Sequence, residues 1–287
     1  MTDLNRGSSG IVLPAAVSGE ILSKMLENSV IQTAARQVTL PGNGAAINVI
    51  TGEPSASWVG ETALKPVSNG SASTKVLRPY KLAVIETFSN EFRRDLPALY
   101  SALADRLPAA LARKFDETVF SGVGNPGSDF ENLSGAVGHA LSYDGIVLSL
   151  QGIGAAGYDM NGVIISPQGE AKLLGEKDTN DRPLFLSDLQ GQGSIGSVLG
   201  RPVFKSKAAY LDATNDVLGF AGDWTQAVWG QVENVVIKIS DQATLTSGET
   251  NINLFQQNMF AVLAEIEVGF RFSNIAAFRK LLATEPE

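Results

Sequence analysis

The chain has 287 residues, 44% of them apolar, which is enough to fill the core of one large domain or of two ordinary ones. The 30 acidic residues outnumber 22 basic ones, and the resulting net charge of −8 argues against direct DNA readout because its field repels nucleic acid. With no cysteine and a single histidine, His139, the chain has no thiolate or disulfide chemistry and little room for a histidine-ligated metal.

Residues 1–40 are predicted to contain an arm and a short amphipathic helix. The apolar positions that recur at helical spacing are Val17, Ile21, Leu22, Met25 and Leu26. Neither a secretion signal nor a membrane span is expected, because no basic segment leads into an apolar run and nowhere do about 18 apolar residues follow one another. Turn residues then precede a short predicted strand over residues 46–50.

Residues 51–80 are predicted to form a long hairpin with a polar tip. Two strand-like runs, 56–61 and 75–87, flank a loop over residues 65–73 that is rich in turn-forming residues. Its few large apolar residues include Trp58, Val59 and Leu64. Because an isolated two-stranded hairpin is marginally stable in water, it must lie on something. That support is either its own domain or a neighbouring subunit, and these residues alone leave both interpretations open.

The clearest predicted helix follows the hairpin. Its apolar stripe, at spacings of three and four, consists of Leu96, Leu99, Leu103, Leu107, Leu111, Phe115 and Val119. Asp95 is positioned to cap its first turn. Pro108 lies inside the helix and removes one backbone hydrogen bond, so we expect a bend there. Gly122 and Gly124, with the residues after them, are expected to end it.

Residues 130–210 have a mixed α/β pattern. A helix is predicted over residues 143–153 and a buried strand over residues 162–165. Ser166 is expected to cap a second helix and Pro167 to open its first turn. The rest of the chain is predicted to be mostly strands. Apolar residues occupy every second position from Phe260 to Phe272, which indicates one long strand, since helical spacing fits only part of that run.

Motifs for catalysis and cofactor binding are weak. Two G-x-G-x-x-G matches start at Gly122 and Gly152, but dinucleotide binding needs a strand before the motif and a helix after it, so both are interpreted as loop glycines. Glu176, Asp178 and Asp181 lack the spacing of a calcium loop and are interpreted as a solvated loop. We therefore expect no cofactor, no metal and no turnover enzyme.

Short fragments spread over nearly the whole chain carry a resemblance to a known family. They are residues 57–61, 81–82, 88–91 and Asp95, then 120–126, 163–167, 177–178, 182–184, 199–203, 222–223 and 277–278. In these fragments, and in its order of arm, hairpin, long helix, α/β block and closing strand, the sequence resembles the major capsid proteins of tailed bacteriophages, which share the Hong Kong-ninety-seven fold. Asp181 departs from the glycine of many relatives, although Asn180 and Asp181 tolerate a left-handed turn.

The resemblance implies an α+β fold of the Hong Kong-ninety-seven capsid type. Its parts are an N-terminal arm, an extended hairpin called the E-loop, a peripheral domain with a long spine helix, and an axial domain. The expected boundaries are 1–35 for the arm, 36–50 for the first part of the peripheral domain, 51–82 for the E-loop, 83–124 for the peripheral domain with the spine helix, 125–225 for the axial domain, 226–272 for the peripheral strands, and 273–287 for the return to the axial domain and the C-terminus.

The family also implies a function. The chain is expected to assemble as hexamers and pentamers into an icosahedral head that encloses double-stranded DNA without sequence-specific binding. Expected partners are a separate scaffolding protein, a portal and cementing proteins, with no membrane and with assembly in the host cytoplasm; scaffolding could also come from a segment already removed. An acidic wall suits a container that does not hold its cargo. An encapsulin-like compartment shell, and more remotely a soluble α/β enzyme with a hairpin lid, stay open as alternatives.

Some members of this family join neighbouring subunits by an isopeptide bond from a hairpin lysine to an asparagine, with a glutamate as base. Lys65, Asn258 and Glu265 match these roles, so the resemblance implies single-turnover self-cross-linking. A lysine amine with a pKa near 10.4 must lose its proton before it attacks an amide, and a carboxylate in an apolar pocket assists that loss. The residues expected to supply the pocket are Phe260, Val262 and Ile266.

The hairpin is also expected to supply interface residues, namely Trp58, Glu61, Lys65 and Asn69. The alternative for Lys65 is a solvated tip residue or a salt-bridge donor across the interface. The alternative for Asn258 is an ordinary turn residue before a strand.

Overall fold

The computed structural model describes residues 29–52, 56–61, 64–67, 71–91, 96–176, 186–187, 196–247 and 250–285. The predicted helix over Val17 to Leu26, the Asp95 cap, Asn69, and the loop around Asp178 and Asp181 lie outside these ranges. No helix within the described residues is long and apolar enough to span a bilayer.

The described residues form four α-helices and sixteen β-strands. The helices are α1 (Val30–Ala34), α2 (Leu96–Ser121), α3 (Tyr143–Ala155) and α4 (Pro167–Gly175). The strands are β1 (Arg36–Thr39), β2 (Ala45–Gly52), β3 (Ser71–Leu77), β4 (Tyr80–Ser89), β5 (Val137–Ala140), β6 (Gly162–Ile165), β7 (Leu186–Ser187), β8 (Gly196–Val198), β9 (Arg201–Lys205), β10 (Val217–Gly222), β11 (Ala227–Gln231), β12 (Val236–Ser240), β13 (Thr244–Ser247), β14 (Thr250–Asn253), β15 (Met259–Phe272) and β16 (Phe278–Leu282).

A five-stranded sheet is built around β15, which confirms the long strand predicted there. One side of β15 pairs antiparallel with β4, from Met259 opposite Ser89 to Val268 opposite Tyr80. Its other side pairs with β12 and β11, and β1 extends the sheet beyond β11. Because side chains alternate across a strand, one face of β15 presents a row of buried side chains. That row is Phe260, Val262, Ala264, Ile266, Val268, Phe270 and Phe272.

The helix α2 packs its apolar stripe into the core that this sheet covers. Leu107, Leu111, Phe115 and Val119 are all buried, which confirms that part of the predicted stripe. Phe115 meets Phe270 edge to face, with 6.3 Å between ring centroids. Such aromatic pairs add to the burial of apolar area and fix the helix against the strand. Pro108 lies within α2, and the bend expected there stays a prediction.

A seven-stranded sheet has the order β5-β16-β10-β6-β9-β8-β7. The strand β6 is fully buried, and α4 starts as predicted, because the Ser166 hydroxyl accepts a hydrogen bond from the Gly169 amide at 3.0 Å and Pro167 occupies the first turn. Phe120 of α2 stacks on Phe220 of β10 at 4.8 Å, so the two sheets share one core. The domain boundaries themselves stay predictions.

The hairpin differs from its prediction. Residues 56–61 form no strand and are exposed, and the paired arms are instead β2 and β3. The predicted run over residues 75–87 is split at Arg78 and Pro79, because β3 pairs with β2 whereas β4 pairs with β15. Leu77 ends β3 and is buried between the body and the hairpin, beside Leu40 and Val228. The hairpin therefore starts earlier in the chain than the sequence pattern predicts.

Glycines explain two further features. Gly122 has a φ of 74°, a left-handed conformation that ends α2 where the sequence predicts its end. The second G-x-G-x-x-G match is not a loop, since Gly152 and Gly154 lie in the last turns of α3. A Cβ on Gly152 would lie 2.9 Å from the guanidinium of Arg279, whose Nη2 donates to the Gly152 carbonyl oxygen at 2.7 Å. Because Gly152 has no side chain, the buried guanidinium of Arg279 can lie close to the backbone of α3.

Candidate functional site

The tip of the hairpin, residues 56–61 and 64–67, is a solvent-exposed segment with apolar side chains. Trp58 is 105% exposed, Leu64 97% and Val67 87%, in contrast to the other two tryptophans, Trp224 and Trp229, which are buried. The predicted interface residues Glu61 and Lys65 are exposed as well. Within the described part of a single copy, nothing covers these side chains.

The stem of the hairpin is fixed to the body at its base. Lys75 donates to Glu131 Oε1 at 2.7 Å and to the carbonyl oxygen of Phe272 at 2.8 Å, and its ammonium lies 5.3 Å from the Phe272 ring centroid. The far end of the stem, where Gly52 pairs with Ser71, lies four residues before Lys75 in β3, which is about 13 Å from Lys75 at the rise of a strand. The tip projects beyond that point.

Asn258 lies immediately before β15 and is exposed. Its φ of 53° is left-handed, as asparagine tolerates at such turns. Its side-chain oxygen accepts a hydrogen bond from Asn90 Nδ2 at 3.0 Å, and its backbone oxygen accepts one from the Asn90 amide at 2.9 Å. These bonds orient the side-chain amide at one end of the sheet.

Glu265 lies in the middle of β15 on the face opposite the core. Lys238 lies 2.6 Å and Lys81 3.8 Å from its carboxylate oxygens. The hydrogen bond from Lys238 is the main cause that lowers the pKa of Glu265, and the charge of Lys81 adds to it. A cleft of about 270 Å³ beside it is lined by two further carboxylates, Glu233 and Glu267. Glu265 is therefore an ionised, paired carboxylate.

The apolar pocket predicted around Glu265 is wrong. Phe260, Val262 and Ile266 occupy even-numbered positions of β15 and face the core, whereas Glu265 points to the other side of the sheet. Along the strand, Asn258 and Glu265 are separated by about 24 Å, given a rise of about 3.4 Å per residue. The structure therefore does not bring these two residues together within one subunit.

A further site, which the sequence pattern does not predict, is a buried carboxylate on α2. Asp116 is 1% exposed and accepts hydrogen bonds from the Ser29 hydroxyl at 2.6 Å and the Val30 amide at 3.1 Å. Burial raises the pKa of Asp116 to about 7, while the hydrogen bonds from Ser29, Val30 and Ile31 act in the opposite direction. We call these contacts the Asp116 clasp. The feature of the sequence that could have indicated this burial is helical spacing, because Asp116 follows Ala112, which is buried, by four residues on the same helix.

Residues that could hold a metal do not cluster in the part of the chain that the structure describes, where no group of three His, Asp or Glu side chains lies close enough to bind an ion.

Comparisons with known proteins agree with this architecture. The sequence model of the phage capsid family matches residues 9–282. The probable major capsid protein gp17 of Mycobacterium phage L5 is 30% identical over 275 residues, which cover 88% of this chain and 83% of that protein.

Solved structures show the same fold. A chain from Gordonia phage Cozz superposes with a TM-score of 0.70 at 23% identity and covers 91% of this chain and 87% of that one. A capsid chain from a native GTA particle gives a TM-score of 0.62 at 18% identity and covers 99% of this chain and 94% of that one.

Proposed function

We propose, because this chain belongs to the phage capsid family, that its copies associate as hexamers and pentamers and close an icosahedral head around double-stranded DNA. The chain is a phage major capsid protein, a structural protein that self-associates into the shell of the virion and not an enzyme. The match over residues 9–282 is the observation that carries the proposal. The exposed apolar tip supports it, because a shell of identical copies supplies the missing cover.

Within this shell, we propose that α2 and the five-stranded sheet form the peripheral domain and that the seven-stranded sheet forms the axial domain. The sharing of one core between the two sheets supports a subunit that moves as a unit during assembly in the host cytoplasm. A scaffolding protein, a portal and cementing proteins complete the expected set of partners. The net charge of −8 suits contained DNA that is not bound by the wall.

Electron micrographs of the expressed and purified full chain test the proposal. We expect closed shells or capsomers, since the tip side chains gain cover only between copies. Particles from infected cells are expected to hold nuclease-resistant DNA. A packaged protein in place of DNA would favour the compartment shell. A chain that stays a monomer at every concentration would contradict assembly and favour the enzyme with a lid.

We further propose that Lys65 joins Asn258 of a neighbouring copy, with Glu265 as base. The separation of about 24 Å along β15 supports a base supplied by a different subunit from the one that supplies Asn258. In the reaction, the Lys65 amine loses a proton to the carboxylate, attacks the amide carbon and releases ammonia, and a new amide bond remains. Salt bridges to Lys238 and Lys81 must open first.

Denaturing gel electrophoresis of mature particles tests this linkage. We expect a ladder of covalent oligomers that resists reducing agent, and its loss in Lys65→Arg, which keeps the charge but is not a nucleophile at neutral pH. A single band at the subunit mass in wild-type particles would contradict the linkage. Lys65 would then be a salt-bridge donor to a carboxylate of a neighbouring copy.

A further inference from the structure

An apolar cleft lies on the body of the subunit between α2 and β4. Its cavity volume is about 100 Å³, and its apolar lining includes Tyr80, Leu82, Phe115, Phe130 and Val268. These residues belong to or border the aromatic core, so the cleft is a rigid depression in a packed surface. The opening is flanked by the charged side chain of Lys114, which is 43% exposed.

The volume of the cleft indicates which of the exposed side chains of the tip fits into it. An apolar cavity of about 150 Å³ holds benzene, which has six carbons, so about 100 Å³ holds about four on the same scale. The isobutyl group of Leu64 has four carbons. The indole of Trp58 is too large for this volume, and the isopropyl group of Val67 leaves part of it empty.

The charges of the tip and of the cleft are complementary. Glu61 precedes Leu64 by three residues and Lys65 follows it directly. At the cleft, Lys114 lies 3.4 Å from Glu117, whose side chain is 45% exposed. With Leu64 seated, Glu61 can reach Lys114, and Lys65 can reach Glu117. Exposed ion pairs of this kind contribute little affinity, but they set the register and orientation of docking.

We infer that Leu64 of one copy inserts into the cleft between α2 and β4 of a second copy, with Trp58 and Val67 covering the edge of the contact. The inference rests on the proposed shell function and names the surface that the tip uses there. A second copy is the occupant because Leu64 is 97% exposed, on a stem that Lys75 anchors, and so does not fill the cleft of its own copy.

Cysteine trapping tests this contact, because the chain has no native cysteine. Particles of Lys65→Cys combined with Lys114→Cys, oxidised with diamide, are expected to give a ladder on a non-reducing denaturing gel, since each tip thiol meets a cleft thiol of the next copy. The ladder collapses to one band when the disulfides are reduced. Lys65→Cys also removes the amine of the predicted isopeptide bond, so that linkage cannot contribute.

The matched control is Lys65→Cys combined with Arg113→Cys. Arg113 is the preceding residue of α2, about 100° away around the helix, and it lines a different cleft with Asp116 and Lys207. We expect no ladder from this pair. Equal ladders from both pairs, no ladder from either pair in intact particles, or a disulfide within one copy would each overturn the inference.

A second measurement uses wild-type particles and does not depend on the variants. A carbodiimide, which condenses a carboxylate with an amine in contact and releases water to the reagent, is expected to join Glu61 to Lys114 of another copy, as identified by peptide mass spectrometry. Intact particles in which Glu61 joins only other lysines would overturn the cleft while leaving the shell function in place. A wild-type chain that forms no particles would instead contradict the shell function and, with it, this inference.

Discussion

Replacement of Trp58, Leu64 and Val67 together by serine is expected to abolish shell assembly and to leave the fold of the subunit intact. All three side chains are exposed in the single copy, so the free energy of unfolding should change by less than about 0.5 kcal/mol. In the shell each is expected to be buried against another copy, where each contributes about 1.5 to 3 kcal/mol. Losing roughly 5 kcal/mol or more per subunit raises the concentration needed for assembly by more than a thousandfold.

Sedimentation velocity and electron microscopy at matched concentrations measure assembly, and urea unfolding of the isolated subunit measures stability. The control is the conservative triple Trp58→Phe, Leu64→Met and Val67→Ile, which keeps the apolar surface and should still form particles. Shells formed by the serine variant at the wild-type concentration would show that the tip takes no part in subunit contacts. A large drop in subunit stability would show instead that the tip supports its own fold.

The elements that the sequence predicts best are those whose burial is decided within one copy. Apolar residues recur every second position in β15 and at helical spacing in α2, because one face of each packs into the shared core. Such periodicity is sufficient to locate both elements. It is also sufficient for α4, whose cap residue Ser166 and first-turn Pro167 have local geometric roles.

The hairpin could not be placed by the same reasoning. The pattern of residues 56–61 is typical of a strand, yet no strand lies beside them, and a strand exists only where a partner backbone is available. The true arms, β2 and β3, are located by contacts distant in sequence. Those contacts are the burial of Leu77 and the bonds of Lys75 to Glu131 and Phe272. No window of local sequence contains them.

The same limit applies to the candidate site. The family resemblance implies that Asn258 and Glu265 act together, but an extended strand places them about 24 Å apart and puts Glu265 on a surface that Phe260 and Val262 do not share. Asp116 is the opposite case, a site that the structure forms but that the sequence pattern does not indicate. Its carboxylate is buried against Ser29, 87 residues earlier in the chain, so its environment depends on tertiary contact alone.

Asp116 is expected to make the subunit more stable in mild acid than at neutral pH. Its pKa is about 7 in the folded chain against 3.8 as the ordinary value, so the folded state holds a proton that the unfolded chain releases. The stability from this group is therefore complete below pH 3.8 and is lost as the pH rises through about 7. A difference of about 3 between the folded and unfolded pKa values corresponds to about 4 kcal/mol in the free energy of unfolding.

The cause is burial without a partner charge. Arg113, Lys205 and Lys207 line the cleft that Asp116 borders, yet the ion pairs found among the described residues do not include Asp116. Among the described residues, the carboxylate is satisfied only by neutral donors, the Ser29 hydroxyl and the amides of Val30 and Ile31. Ionisation therefore destabilises the fold where the Asp116 clasp joins α1 to α2, because its hydrogen bonds only partly offset the cost of burying the charge.

Urea unfolding of unassembled subunits between pH 4 and pH 8 measures this effect, and the serine variant of the tip provides such subunits. Asp116→Asn, which cannot ionise, is the matched comparison. It is expected to remove the slope of the unfolding free energy against pH between pH 4 and pH 7, whatever the absolute stability of the variant. Ser29→Ala should retain the slope, because burial remains the main cause of the raised pKa. Equal slopes for the parent chain and Asp116→Asn would mean that the carboxylate is already ionised in the fold, held by its three hydrogen bonds.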